Sequence, residues 1–353
     1  MQESISNLSE GDIEELCLGS RSIPNSYFGL LESLTVDGCQ FSSDVLLPFN
    51  LLPFLTNLET LTVQNCKFIK TIFDVKCTTQ NRDVTFMGPA VPFSLKKLSL
   101  SELPNLKNVW NENPHRIMSM HNLEEIQVEK CERLTCVIPP IVPKDLVELE
   151  DLVVEDVLLP FSLLPFLTSL VTFEVNNCDS VKAIFGVKCA TQDTITFGLK
   201  KLTLYDLPHL ENVWNEDPRG ILNMKHLQEV YVEQCRGLTN VFPVSIAKDL
   251  VKLKNLEVED CKELMTIVAE DDTDIMGANE DFPCPFVRSL KLKGLPMFKY
   301  FYYSSLQCDN FAHLESHTEN QVNTKKVRTT LLFLPPEFNV ESSVSLVVCH
   351  CSI

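Results

Sequence analysis

Leucine and its aliphatic substitutes recur along this chain in a nine-residue phrase that is apolar at its first, fourth and sixth places and polar between them. LESLTVDGC from Leu31, LETLTVQNC from Leu58, LKKLSLSEL from Leu95, LEEIQVEKC from Leu123 and LEDLVVEDV from Leu149 are followed by LVTFEVNNC from Leu170, LKKLTLYDL from Leu199, LQEVYVEQC from Leu227, LKNLEVEDC from Leu253 and VRSLKLKGL from Val287. The fourth and sixth residues alternate with polar neighbours, a period of two, which predicts a short strand turning those side chains to a core. Leu61, Val63, Leu202 and Leu204 are therefore expected inside, and Thr62 outside. Nine intervals cover the 256 residues from Leu31 to Val287, a mean of about 28.

That period lies at the upper end of the leucine-rich repeat range. No unit can bury its apolar face alone, so stacking is required. The expected fold is an α/β solenoid, a leucine-rich-repeat horseshoe with a parallel β-sheet on the concave side and irregular or short helical segments on the convex side. Residues 1–300 form this domain, with about ten to eleven repeats; IEELCLGS from Ile13 reads as a clipped eleventh. A block duplication sits on top, 48–157 against 160–262. PFNLLPFLTNLETLTVQNC (Pro48 to Cys66) returns as PFSLLPFLTSLVTFEVNNC (Pro160 to Cys178), and LPNLKNVWNENP (Leu103 to Pro114) as LPHLENVWNEDP (Leu207 to Pro218). Trp110 and Trp214 take equivalent places and are expected to pack in the outer wall. Beyond residue 300 the phrase fails, and 301–353 is either an atypical cap or a loosely ordered tail.

Composition narrows what such a rod can do. With 44% hydrophobic and 22% charged residues among 353, the chain has ample material for a core. Its formal charge of −18 opposes nucleic acid at long range. The start MQESISNLSEGDIEEL lacks the basic and apolar regions of a secretory signal, and apolar runs such as Val45 to Leu55 are short and broken by Pro48 and Pro53, so neither export nor a membrane span is expected. Fourteen cysteines without a CxxC pair point to reduced thiols in the cytoplasm. Six of them, Cys39, Cys66, Cys131, Cys178, Cys235 and Cys261, fill the ninth place of their unit, where a small thiol can plug the bend after the strand: a structural ladder.

Chemistry is sparse. GxxxxGK[ST], GxGxxG, GxSxG and HExxH are all missing, so no cofactor and no enzymatic activity are expected. His313 and His317 offer two ligands without a third, and Cys349, His350 and Cys351 sit at the chain end; neither set is assigned a metal. What remains is the surface between the core positions. The second, third, fifth, seventh and eighth residues of the ten units carry 18 acidic and 9 basic side chains, interrupted by the lysine pairs Lys96–Lys97 and Lys200–Lys201. Its candidates for binding protein are Glu124, Glu125, Gln127, Glu129, Glu150, Asp151, Glu155, Asp156, Glu174, Tyr205, Tyr231, Glu233, Glu257 and Glu259. A solvated face that keeps the protein soluble and a docking face for a basic partner both fit this pattern.

LKKLSLSELPNLKNVWNENP with MHNLEEIQVEKCERLTCVIP, and the second copy through YVEQCRGLTNVFPVSIAKDLVKLKNLEVEDC, resemble the C-terminal leucine-rich repeats of plant intracellular coiled-coil, nucleotide-binding disease-resistance proteins, over roughly residues 10–300. The resemblance implies a non-enzymatic recognition module in plant defence, which senses a pathogen effector or a guarded host protein, or contacts the nucleotide-binding domain of a resistance protein. That domain and the N-terminal signalling domain have no counterpart here, so ATP binding and oligomeric signalling are not implied. A substrate adaptor of a ubiquitin ligase is the alternative, and it calls for an F-box-like helical segment.

Overall fold

The computed structural model describes residues 29–39, 44–48, 51–75, 93–111, 120–137, 157–186, 194–269, 287–299 and 301, and the backbone of Leu346–Cys349. Ten parallel strands make its main sheet: β1 (Ser33–Asp37), β2 (Thr60–Gln64), β3 (Lys97–Ser101), β4 (Glu125–Glu129), β5 (Thr172–Asn176), β6 (Lys201–Tyr205), β7 (Glu229–Glu233), β8 (Asn255–Glu259), β9 (Ser289–Lys293) and β10 (Leu346–Cys349). They lie in sequence order with fourth place beside fourth place, so Leu34, Leu61 and Leu98 are neighbours, as are Phe173, Leu202 and Val230. The second and fourth residues of each of β1–β9, which are the fourth and sixth of the unit, are buried and their neighbours half-buried or exposed. This is a leucine-rich-repeat solenoid.

The unit expected at Leu149 does not take its place in the sheet. β4 pairs directly with β5, Glu125 opposite Thr172 and Ile126 opposite Phe173, so no strand stands between them. Residues 149–156 lie outside the described residues, and Val157–Leu159 is a strand of the opposite wall, paired with Ala183–Phe185. The residues just after the phrase give the reason. LEDLVVEDV has no ninth-place cysteine and runs into DVLLPF, and the same DVLLPF at 44–49 comes after the first unit, where Val45–Leu47 is again a strand of the opposite wall. The tenth strand of the sheet comes instead from the chain end, β10, with Leu290 opposite Leu346. The clipped unit at Ile13 and residues 302–345 are outside the described residues.

The opposite wall is built of two- and three-residue strands more than of helix. Val45–Leu47, Thr71–Phe73 and Asn108–Trp110 form one small parallel sheet, and Val157–Leu159, Ala183–Phe185 and Asn212–Trp214 another. Val137 joins the two: its carbonyl accepts from the Val109 and Trp110 N–H groups and its own N–H donates to Leu158. Pro53 and Pro165, which lack an N–H, hold LPF and FSLLPF to short 3-10 turns, and the one α-helix among the described residues, α1 (Val244–Asp249), starts behind Pro243. Trp110 stacks on Phe73 with ring centroids 5.1 Å apart, and Trp214 on Phe185 at 5.3 Å; both indoles are buried. The duplication thus repeats an aromatic cluster as well as a sequence.

Each of β1–β9 ends in one left-handed residue: Gly38, Asn65, Glu102, Lys130, Asn177, Asp206, Gln234, Asp260 and Gly294, with φ between 47 and 67. That turn aims its N–H at the last carbonyl of the next strand, as in Gly38 to Gln64 (3.0 Å) and Asn177 to Tyr205 (2.8 Å). Where the ninth residue is cysteine, its thiol donates to that same carbonyl from inside: Cys66 to Gln64 (3.2 Å), Cys131 to Glu129 (3.5 Å), Cys178 to Asn176 (3.3 Å), Cys235 to Glu233 (3.6 Å) and Cys261 to Glu259 (3.3 Å). Asn tolerates the left-handed region through its short polar side chain, whereas a β-branched side chain there meets its own backbone. Asn177→Val is expected to lose about 1–2 kcal/mol in urea unfolding, and Asn177→Gly a few tenths at most; equal losses in both would remove the backbone argument.

Candidate functional site

Side chains at the third, fifth and seventh places of successive strands stand in rows about 4.8 Å apart on the inner face. The rows bring together residues far apart in sequence. Gln127 donates to Glu125 (2.9 Å) and, 47 positions on, to Glu174 (3.3 Å). Glu174 also takes the Lys201 ammonium at 2.6 Å, and that same ammonium lies 5.8 Å from the centre of the Tyr231 ring. Tyr231 donates its hydroxyl to Glu229 at 3.2 Å. Beside it stands Tyr205, with Glu233 directly opposite on β7. Both tyrosines are half-buried, presenting part of each ring to solvent.

The remaining carboxylates are paired sideways. Glu125 takes Lys97 (2.8 Å), Glu59 takes Lys96 (2.6 Å), Glu129 takes Lys130 (3.6 Å), and Glu257 takes Lys291 (3.7 Å). Glu259 holds Lys291 and Lys293 together, and these two cations keep its carboxyl below the usual range. Glu174 in turn raises Lys201 above the usual lysine value. Glu233 accepts from Gln234 at 3.4 Å, and Glu124 is exposed at the edge of β4. Partly exposed ion pairs of this kind contribute about 0–1 kcal/mol each, so an incoming group can exchange with them at little cost.

Of the sequence candidates, Glu174, Tyr205, Tyr231, Glu233, Glu257 and Glu259 come together on β5–β8, and Glu124, Glu125, Gln127 and Glu129 flank them on β4. Glu150, Asp151, Glu155 and Asp156 fall outside the described residues, on the unit that adds no strand between β4 and β5. Without that unit the face carries fourteen acidic and nine basic side chains, so the excess of acid is about half that expected. The sequence candidates left out Lys201, noted only as half of a lysine pair, and Glu229, the two groups that hold Tyr231; the signal was their third place in their units, next to the fifth-place row. Thr203 and Asn176, beneath this cluster, each bury an oxygen that has no hydrogen-bond partner.

The six ninth-place cysteines are buried, and none of them is in a disulfide. Burial pushes the Cys66 thiol up to about 11 and Cys178 up to about 12, raises Cys131 as well, and acts with the adjacent Cys261 thiol to raise Cys235. Thiols so placed are poor nucleophiles. No group of three or more metal-ligating side chains occurs among the described residues; His313, His317, His350 and Cys351 lie outside them, as does the Cys349 side chain. No helix among the described residues is long and apolar enough to cross a membrane.

The family comparison agrees with this architecture. The family described as plant disease resistance protein RPS2-like, leucine-rich repeats, matches residues 2–158 and 154–262. Among curated proteins nothing matches. Among solved structures, an internalin (inlF) of Listeria monocytogenes is similar over 88% of this chain and 94% of its own, at 11% identity and a TM-score of 0.26.

Proposed function

We propose, on the premise that this chain belongs to the RPS2-like leucine-rich repeats of plant disease resistance proteins, that it is a non-enzymatic recognition module of plant defence, acting in the cytoplasm, whose inner face over β5–β8 docks a pathogen effector or a guarded host protein. The observation that carries this reading is the pair Tyr205 and Tyr231, two rigid aromatic side chains half open to solvent near the middle of a continuous sheet, beside the exchangeable Glu174–Lys201 ion pair and the carboxylates of Glu229 and Glu233. Large amphipathic rings in such a setting are the usual anchors of protein interfaces. The partner carries a cationic side chain that takes over the place of Lys201, between Glu174 and the Tyr231 ring.

The test is capture on the immobilised chain from extracts of healthy and pathogen-challenged leaf tissue. Wild type is expected to enrich a defined set of proteins, Tyr205→Ala with Tyr231→Ala to lose about tenfold or more of it, corresponding to roughly 1.4 kcal/mol, and Phe68→Ala, an exposed residue in the loop after β2, to retain it. Equal capture by all three proteins would falsify the assignment of the face.

A further inference from the structure

The cations of the inner face divide into two populations. Lys96, Lys97, Lys130, Lys201, Lys291 and Lys293 all hold carboxylates. Lys200, Lys254 and Arg288, at the second place beside β6, β8 and β9, are exposed and hold none among the described residues, and Lys225 and Lys252, just before β7 and β8, are in the same condition. His226 lies in their midst. Lys252 approaches its ring nitrogen to 3.4 Å, and burial together with Lys252, Lys225 and Lys200 holds the imidazole below its usual range, so the group is surrounded by positive charge. Asp249 is a partly buried carboxylate in the field of Lys225, and Glu229 is bonded to Tyr231.

The duplication supplies an internal control. In the first copy Lys200, Lys225, His226 and Gln228 correspond to Lys96, His121, Asn122 and Glu124. There the lysine is neutralised by Glu59 and further acid stands beside it, so the cluster belongs to the second copy alone. We infer that the flank of the sheet formed by Lys200, Lys225, Lys252, Lys254 and Arg288 is a second interaction surface, which takes a short acidic segment of a partner protein.

The dimensions and surroundings select this occupant. From β6 to β9 the row spans about 14 Å, the reach of roughly four extended residues. On the same strands, one to five places beyond the second, lie Glu229, Glu233, Glu257 and Glu259, and the whole chain carries −18. A long polyanion such as a duplex would meet those acids, whereas a strip of a few carboxylates meets only the cations. Because the lysines are exposed and hold no carboxylate among the described residues, their attraction is available on association, and it falls with salt.

A fluorescein-labelled octaglutamate peptide, followed by anisotropy against the whole chain, tests the site. Binding that weakens as salt rises, with an affinity reduced about tenfold or more in Lys225→Glu with Lys252→Glu and Lys254→Glu, is the expected result. Lys96→Glu, the first-copy counterpart of Lys200, is expected to change it by less than about twofold. Loss of binding in Lys96→Glu equal to that in the triple variant overturns the inference, as does no binding by wild type beyond that of an octaserine control. An octathymidylate that displaces the peptide and depends on the same lysines also overturns it, by reassigning the row to phosphates. Since Tyr205 and Tyr231 stand on the other row, their alanine variants keep octaglutamate binding, and failure of one surface leaves the other standing.

Discussion

Replacing Phe185 by alanine is expected to lower the unfolding free energy by about 3–5 kcal/mol, the largest loss of any single truncation in the chain. Its ring is fully buried and touches three others: Trp214 at 5.3 Å stacked, Phe197 at 6.0 Å edge-on and Phe173 at 6.3 Å tilted. Removing it leaves a cavity walled on three sides by flat groups that cannot collapse inward without leaving their own contacts. Among the described residues Phe73, its counterpart in the first copy, touches two rings, Trp110 and Phe93, because the place of Phe173 is taken there by Leu61. Phe73→Ala should therefore cost less. Trp110 and Trp214 are the only tryptophans in the chain, so urea unfolding read by fluorescence in a Trp110→Phe background reports the second cluster alone. A loss under about 1.5 kcal/mol for Phe185→Ala would show that the cluster is loosely packed.

A charge placed on the inner wall of the core acts differently. Leu204, the sixth place of its unit and the fourth residue of β6, is fully buried, with Val175 and Val232 opposite on the adjoining strands. Leu204→Asp places a carboxylate among aliphatic groups where no donor is free to meet it, at an effective cost of several kcal/mol. In a stacked repeat each unit touches only its neighbours, so the damage stays local. Hydrogen exchange is expected to lose protection across β5–β7 while β1 and β2 keep theirs. Uniform loss along the whole sheet would mean that the units unfold as one body, and intact protection in β5–β7 would mean that position 204 does not face the core.

The strand and core positions were legible because they depend only on spacing within nine residues. Leu61, Val63, Leu202 and Leu204 needed no knowledge of the rest of the chain. The unit at Leu149 misled for the same reason, since the phrase is sound by itself and only the VLLPF after it assigns the chain to the other wall. The inner face was harder still. Glu125 and Lys97, Glu59 and Lys96, Glu174 and Lys201 are partners from different units, so counting charges unit by unit overstates the free acid and hides which cations are neutralised. Only pairing the units in register separates Lys201, engaged with Glu174, from Lys200, engaged with nothing among the described residues.

The carbonyl that ends each of β2–β9 receives the N–H of the preceding left-handed turn on one side and, in five units, a thiol from the other. This joint is made almost wholly of backbone, so it is chemically the same between any two adjacent turns of the rod. Unequal crossing-over can then cut and rejoin the gene at that seam, lengthening or shortening the protein by whole turns. Every recombinant inherits a sound spine and displays a new sequence of inward-facing side chains.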